Sequence, residues 1–181
     1  MLILLTGLPG SGKTTLAGKL ADGLDLPLIA KDHFKEILFD TMGIGDRAWS
    51  RRIGQAAIAL QYDAMATIKT AVVDSALWTG ISEPEVVKLG LPLVQVFCQC
   101  PFETARDRYF ARTRHEGFIA EKMTLADYEQ YHVLEEPLRL ECPIISVDTS
   151  SEVDEIGLIE QLRSYVDYRT EQPTVGVASS S

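Results

Sequence analysis

Five short runs along the chain are almost wholly apolar: Leu2 to Leu5, Pro27 to Ala30, Ala71 to Val73, Leu93 to Cys98 and Pro143 to Val147. Lacking a regular polar alternation, they predict strands buried on both faces, the habit of a parallel sheet covered by helices. Between the runs the period lengthens. Lys13 to Leu24 places Leu16, Ala17, Leu20 and Leu24 at helical spacing, and Arg47 to Thr70 does the same with Ile53, Ala57, Leu60, Ala64 and Ile68. Thr104 to Arg114 and Glu152 to Tyr168 predict two more helices. Strand and helix thus alternate, with intervals long enough for right-handed crossovers, and the pattern predicts a three-layer α/β fold.

The length of 181 residues, 46% of them hydrophobic, fits one globular domain. It is expected to span residues 1–169, because from Thr170 to Ser181 the chain turns small and polar, the composition of a flexible tail. The opening Met1 to Leu5 lacks a basic flank and stops at Thr6-Gly7, too short for a secretory signal. No apolar stretch approaches membrane-spanning length, so a soluble protein is expected. Three cysteines, Cys98, Cys100 and Cys142, form no disulfide framework and suit a reducing cytoplasm. Cys98 and Cys100 end an apolar strand, where cysteine packs as a small hydrophobe more often than it binds metal.

Charge adds a contrast to this picture. Residues 1–115 carry 13 basic and 12 acidic groups, whereas residues 116–181 carry 4 and 14. A surface this acidic argues against an extended nucleic-acid footprint, though not against a nucleotide. Yet Arg106, Arg108, Arg112 and Arg114 crowd into nine residues.

Gly7-Leu8-Pro9-Gly10-Ser11-Gly12-Lys13-Thr14 matches G-x-x-x-x-G-K-S/T in full and lies between the first predicted strand and the first predicted helix. Glycines there let the backbone curl so that its N–H groups face a β-phosphate, and the helix adds the positive end of its dipole. Lys13 is placed to bridge β- and γ-phosphates, and the Thr14 hydroxyl to bind Mg²⁺. Asp74 ends the third apolar run, as an acidic ligand of that metal or as a strand-end turn residue. Asp32, just past the second run, lies where open α/β sheets bind ligands; it reads either as a proton acceptor or as the N-cap of a helix from Phe34 to Asp40. Trp78, Trp49 and Phe34 are candidates for an acceptor pocket or for core packing. Residues four apart share a helix face, so Arg108 and Arg112 are expected to point together at a bound triphosphate, unless Glu103 and Asp107 pair with them on a solvated face.

From Met1 to about Tyr168 the chain resembles the P-loop kinase superfamily. It is similar to the branch of predicted AAA-type ATP-binding kinases, with chloramphenicol phosphotransferase and the polynucleotide 5′-kinase domain. The resemblance rests on the phosphate loop, on Asp32 with Lys35 three positions later, and on Arg108-x-x-x-Arg112. It implies a five-stranded parallel sheet in the order 2-3-1-4-5 and a helical lid at about residues 101–122. It also implies ATP and Mg²⁺ as cofactors, Thr15 near the α-phosphate, and Lys13, Asp32, Arg108 and Arg112 as catalytic groups. Asp32, Lys35 and Trp78 would meet the substrate. Polynucleotide kinases typically carry arginine where Lys35 stands, which leans toward another acceptor. Asp148 to Ser151 resembles a loop bordering adenine, or caps a helix from Glu152.

The function this implies is transfer of the γ-phosphate to a hydroxyl of a small molecule. Transfer to a polynucleotide or nucleoside 5′-hydroxyl is the alternative, as is a regulatory module that binds nucleotide without turnover.

Overall fold

Leu2 and Leu4 face one side of a sheet, Ile3 and Leu5 the other, and all four are completely buried. That is why this strand reads as a continuous apolar run rather than an alternating one. The computed structural model describes residues 1–119 and 123–170. In chain order its elements are β1 (Leu2–Thr6), α1 (Lys13–Leu24), β2 (Leu28–Ala30), α2 (Lys31–Met42), α3 (Arg47–Ile68), β3 (Ala71–Asp74) and α4 (Glu83–Lys88). There follow β4 (Leu93–Gln99), α5 (Phe102–Ala111), α6 (Glu116–Ile119), α7 (Leu125–Tyr128), a 3₁₀ turn (Glu129–Leu134), β5 (Ile144–Asp148) and α8 (Glu155–Thr170). The tail expected beyond Thr170 lies outside the described residues, as does the end of the expected lid at 120–122.

The five strands form one parallel sheet in the order β2-β3-β1-β4-β5. On one face Ile3, Leu5, Val72 and Val96 pack against Leu16 and Leu20 of α1 and Leu158 and Leu162 of α8. On the other, Leu2, Leu4 and Val73 meet Met65 of α3 and Val86 of α4. A third cluster, Leu8, Phe102, Ala105, Tyr109, Tyr128 and Leu134, joins α5 and α7 to the turn after β1. These layers set β1, β2 and β3 side by side so that their carboxyl ends open onto one hollow.

Gln95 places a completely buried polar side chain in the middle of the apolar sheet. The Gln95 side chain accepts from the Thr6 hydroxyl (3.0 Å) and the Leu138 N–H (2.8 Å), and donates to the Leu138 carbonyl (3.2 Å). Its amide therefore keeps its hydrogen bonds while anchoring the segment before β5.

Three helices differ from the sequence expectation, α5 spanning Phe102–Ala111 where Thr104 to Arg114 is expected. α2 begins at Lys31, three residues before Phe34, and α8 begins at Glu155 rather than Glu152. Asp154 accepts from the Gly157 N–H (3.0 Å), so it caps α8 and frees Asp148 to Ser151 from that duty. Among the described residues, no helix is long and apolar enough to cross a membrane.

Candidate active site

The turn after β1 runs straight into α1, with Gly12 at its N-cap in the left-handed region (φ 92°). Gly10 is also left-handed (φ 87°), and a Cβ on it would stand 2.1 Å from the Ala105 carbonyl oxygen of α5. No side chain fits there, so glycine lets the loop close against α5 and leave its concave side open. Lys13 is buried, and its ammonium donates to the Gly7 (2.8 Å) and Leu8 (2.6 Å) carbonyls. Burial lowers its pKa, and the nearby Asp74 carboxylate opposes that shift. The Ser11 hydroxyl is buried with no partner among the described residues. Such an orphan costs about 1–3 kcal/mol unless a ligand atom satisfies it. A glycine cradle, an orphaned hydroxyl and a buried cation fit a phosphate chain.

A cavity of about 110 Å³ lies over this loop, walled in part by Lys13, Thr14, Asp32, Asp74, Arg112 and Arg114. Asp74 closes β3 beside Leu5 and is buried there. Burial pushes its carboxyl pKa up, while the Thr14 hydroxyl and the Lys13 charge pull the other way. A hydroxyl and a carboxylate paired at the mouth of a phosphate cradle are hard oxygen donors, the chemistry Mg²⁺ prefers. Cys98 packs in the core between the sheet and α1, and Cys100 packs against the third apolar cluster.

Asp32 sits in the first turn of α2, whose N-cap is Ala30 with no side-chain capping bond. Its carboxylate is not spent on the helix end. It accepts from the Lys31 ammonium (3.1 Å) and the Arg114 guanidinium (3.2 Å). Partial burial works to raise its pKa, but these two cations outweigh it and hold the carboxyl below its usual range. One turn on, Lys35 is 5% exposed, with its ammonium 4.9 Å from the Phe118 ring centre and 5.4 Å from that of Phe39. Such cation–π contacts soften the cost of burying the charge.

Residues 2–137 match the model of the AAA domain family. The chain belongs to this family, within the P-loop kinase superfamily. A candidate kinase from Chloroflexus aurantiacus is 31% identical, with 92% of this chain and 96% of that one covered at a TM-score of 0.80. A sugar kinase from Janibacter sp. (22% identity, 92% and 94% covered, TM-score 0.58) shares the fold. So does a gluconokinase from Sinorhizobium meliloti (20% identity, 93% and 97% covered, TM-score 0.58). A comparison with curated proteins gives no match.

In this P-loop kinase fold the two arginines expected to act together part company. α5 ends at Ala111, and Arg112 is already extended (φ −77°, ψ 142°), so the expected shared helix face does not form. Like charges four apart on a helix repel, and ending the helix between them relieves this. Arg112 turns over the Tyr109 ring (4.9 Å) and lines the cavity. Arg108 instead donates to the Thr149 (2.8 Å) and Ser150 (3.0 Å) carbonyls after β5. That segment, with Gly12 and Thr15, borders a separate groove of about 310 Å³ outside the loop.

Arg114 is more central than its sequence suggested. It donates to the Tyr109 hydroxyl (2.7 Å), stacks 4.0 Å from the Phe118 ring centre and pairs with Asp32. Trp78 does not line the cavity; it packs 5.2 Å from Tyr131, the aromatic that does. Trp49 donates its indole N–H to the Gly43 carbonyl (2.9 Å) near the start of α3, and Phe34 packs into the core. Tyr109, Phe118 and Tyr131 are the cavity's aromatics, and their sequence positions carry no motif that would single them out.

Proposed function

We propose that this family member is an ATP-dependent kinase passing the γ-phosphate to a hydroxyl of a small molecule. The observation that carries this reading is that Lys13, Arg112 and the Asp32 carboxylate, which caps no helix, all face one cavity floored by the phosphate loop. The kinase names of the structural neighbours, a sugar kinase and a gluconokinase among them, support it. ATP, bound as its magnesium complex, supplies the phosphoryl group, with Thr14 and Asp74 as the protein's metal ligands.

In this reading the loop amides and Lys13 fix the phosphates, and Arg112 meets the charge that develops during transfer. Asp32 receives the acceptor hydroxyl's proton at a carboxylate oxygen, after its bond to Arg114 gives way or rotates. Arg108 steadies the Thr149–Ser150 segment and contributes to nucleotide binding rather than to the transfer step. The three free thiols fit a reducing, cytoplasmic setting.

The test is ADP release with a panel of hydroxyl compounds, including a 5′-hydroxyl oligonucleotide. Stimulation by a small hydroxyl compound and none by the oligonucleotide is the expected result. ATP binding that no acceptor turns over would instead favour a regulatory module. The arginines give a second check. Arg112→Ala is expected to lower kcat by roughly 10² with little change in ATP affinity. Arg108→Ala should act mainly on the KM for ATP, and identical kinetics for the two variants would refute this division of labour.

A further inference from the structure

A second cavity, about 230 Å³, opens between α2 and α3 and shares Lys35 and Met123 with the first. Arg47, Ser50, Arg51 and Gln130 also line it, and no acidic side chain does among the described residues. Seven of the chain's 17 lysines and arginines line the two cavities, against two of its 26 carboxylates, counting described residues. Both carboxylates, Asp32 and Asp74, stand on the phosphate side. In a protein of net charge −9, the second cavity is therefore a local concentration of positive charge.

Its arginines differ. Arg47 is held by Asp127 (3.0 Å), a residue that also closes the capping box of α7. Arg51, one turn along the same face of α3, forms no ion pair among the described residues. A guanidinium offers parallel N–H donors that match a carboxylate or phosphate, and at a cavity wall it keeps them available. Lys35 stands at the junction of the cavities. It is three residues after Asp32 on α2, close enough on one helix face for a single small molecule to reach both.

We infer that the second cavity takes an anionic group of the phosphoryl acceptor, a carboxylate or a phosphate ester, held by Arg51 together with Lys35. This rests on the kinase reading for the acceptor's hydroxyl, which would lie at Asp32. The acceptor class is then a small hydroxy acid or sugar phosphate, rather than a neutral alcohol.

The first arm of the test needs no knowledge of the acceptor. With MgADP saturating the phosphate loop, sulfate is titrated calorimetrically into wild type, Arg51→Gln and Arg52→Gln. Arg52 is the neighbouring exposed arginine that does not line the cavity, so its variant controls for loss of one positive charge. Sulfate affinity is expected to fall at least about tenfold in Arg51→Gln and to stay near wild type in Arg52→Gln. No sulfate binding beside MgADP, or equal affinity in the two variants, overturns the inference.

The second arm compares gluconate, glucitol 6-phosphate and glucitol as acceptors by ADP release. The anionic compound preferred tells carboxylate from phosphate ester, and its kcat/KM should fall at least about tenfold in Arg51→Gln. Preference for neutral glucitol overturns the anionic acceptor while leaving the kinase reading intact. Arg51-dependent sulfate binding without ADP release from any acceptor sinks the kinase reading and upholds the anion cavity.

Discussion

Lys13→Ala is expected to abolish phosphoryl transfer and most ATP binding while the protein stays folded. The ammonium is buried against the Gly7 and Leu8 carbonyls and lies outside all three apolar clusters. Its removal therefore leaves the cores intact and costs the loop two charge-assisted hydrogen bonds. Some local destabilisation should follow, about 1–3 kcal/mol, since two carbonyls lose their donor. The catalytic loss should be far larger, roughly 10³-fold or more, because no other loop side chain supplies positive charge to the phosphates. Calorimetry with ATP, beside a thermal melt, separates the two effects. Unchanged ATP affinity in a folded variant would show that the loop is not a working nucleotide site.

Asp32→Asn should lower acceptor phosphorylation by roughly 10² to 10⁴ without weakening ATP binding. Because Ala30 and not Asp32 caps α2, the change removes no cap. What it removes from the folded state is a half-exposed carboxylate between Lys31 and Arg114, and pairs so exposed are worth about 0–1 kcal/mol. The melting temperature should barely move. The depressed pKa also fixes a pH signature. A carboxyl held below its ordinary value adds stability at pH above about 4, and that stability is lost as pH falls through the folded pKa. Its ionised form persists through neutral pH, so wild-type activity near pH 6 should not be limited by protonation of Asp32. Single-turnover phosphorylation is the decisive measurement, and wild-type turnover in Asp32→Asn would move suspicion to Asp74.

Most of the sheet was legible because a strand buried on both faces must be apolar at successive positions, and β1, β3 and β4 obey that constraint. The phosphate loop was legible for a different reason: its function lies in its own backbone, so its signal is contiguous. Arg112 shows where such reasoning runs out. Helical spacing joined it to Arg108, yet extended backbone at residue 112 sends Arg112 to the cavity wall while Arg108 bonds the Thr149 and Ser150 carbonyls. Arg114 with Asp32, and Lys35 with Phe118, are pairings across more than 80 residues, and no local periodicity encodes them. Tyr131, not Trp78, lines the cavity wall, and it lies in a short 3₁₀ turn that apolar spacing does not reveal.

The contact between Gly10 and the Ala105 carbonyl bears on how this scaffold can be recombined. The Tyr128 hydroxyl donates to the neighbouring Pro9 carbonyl, so the loop is tied to both α5 and α7. Three stretches far apart in sequence thus behave as one exchangeable module. A chimera that imports α5 and α7 from a relative would have to import the matching loop as well, or the graft would press a foreign backbone into a gap sized for a single hydrogen.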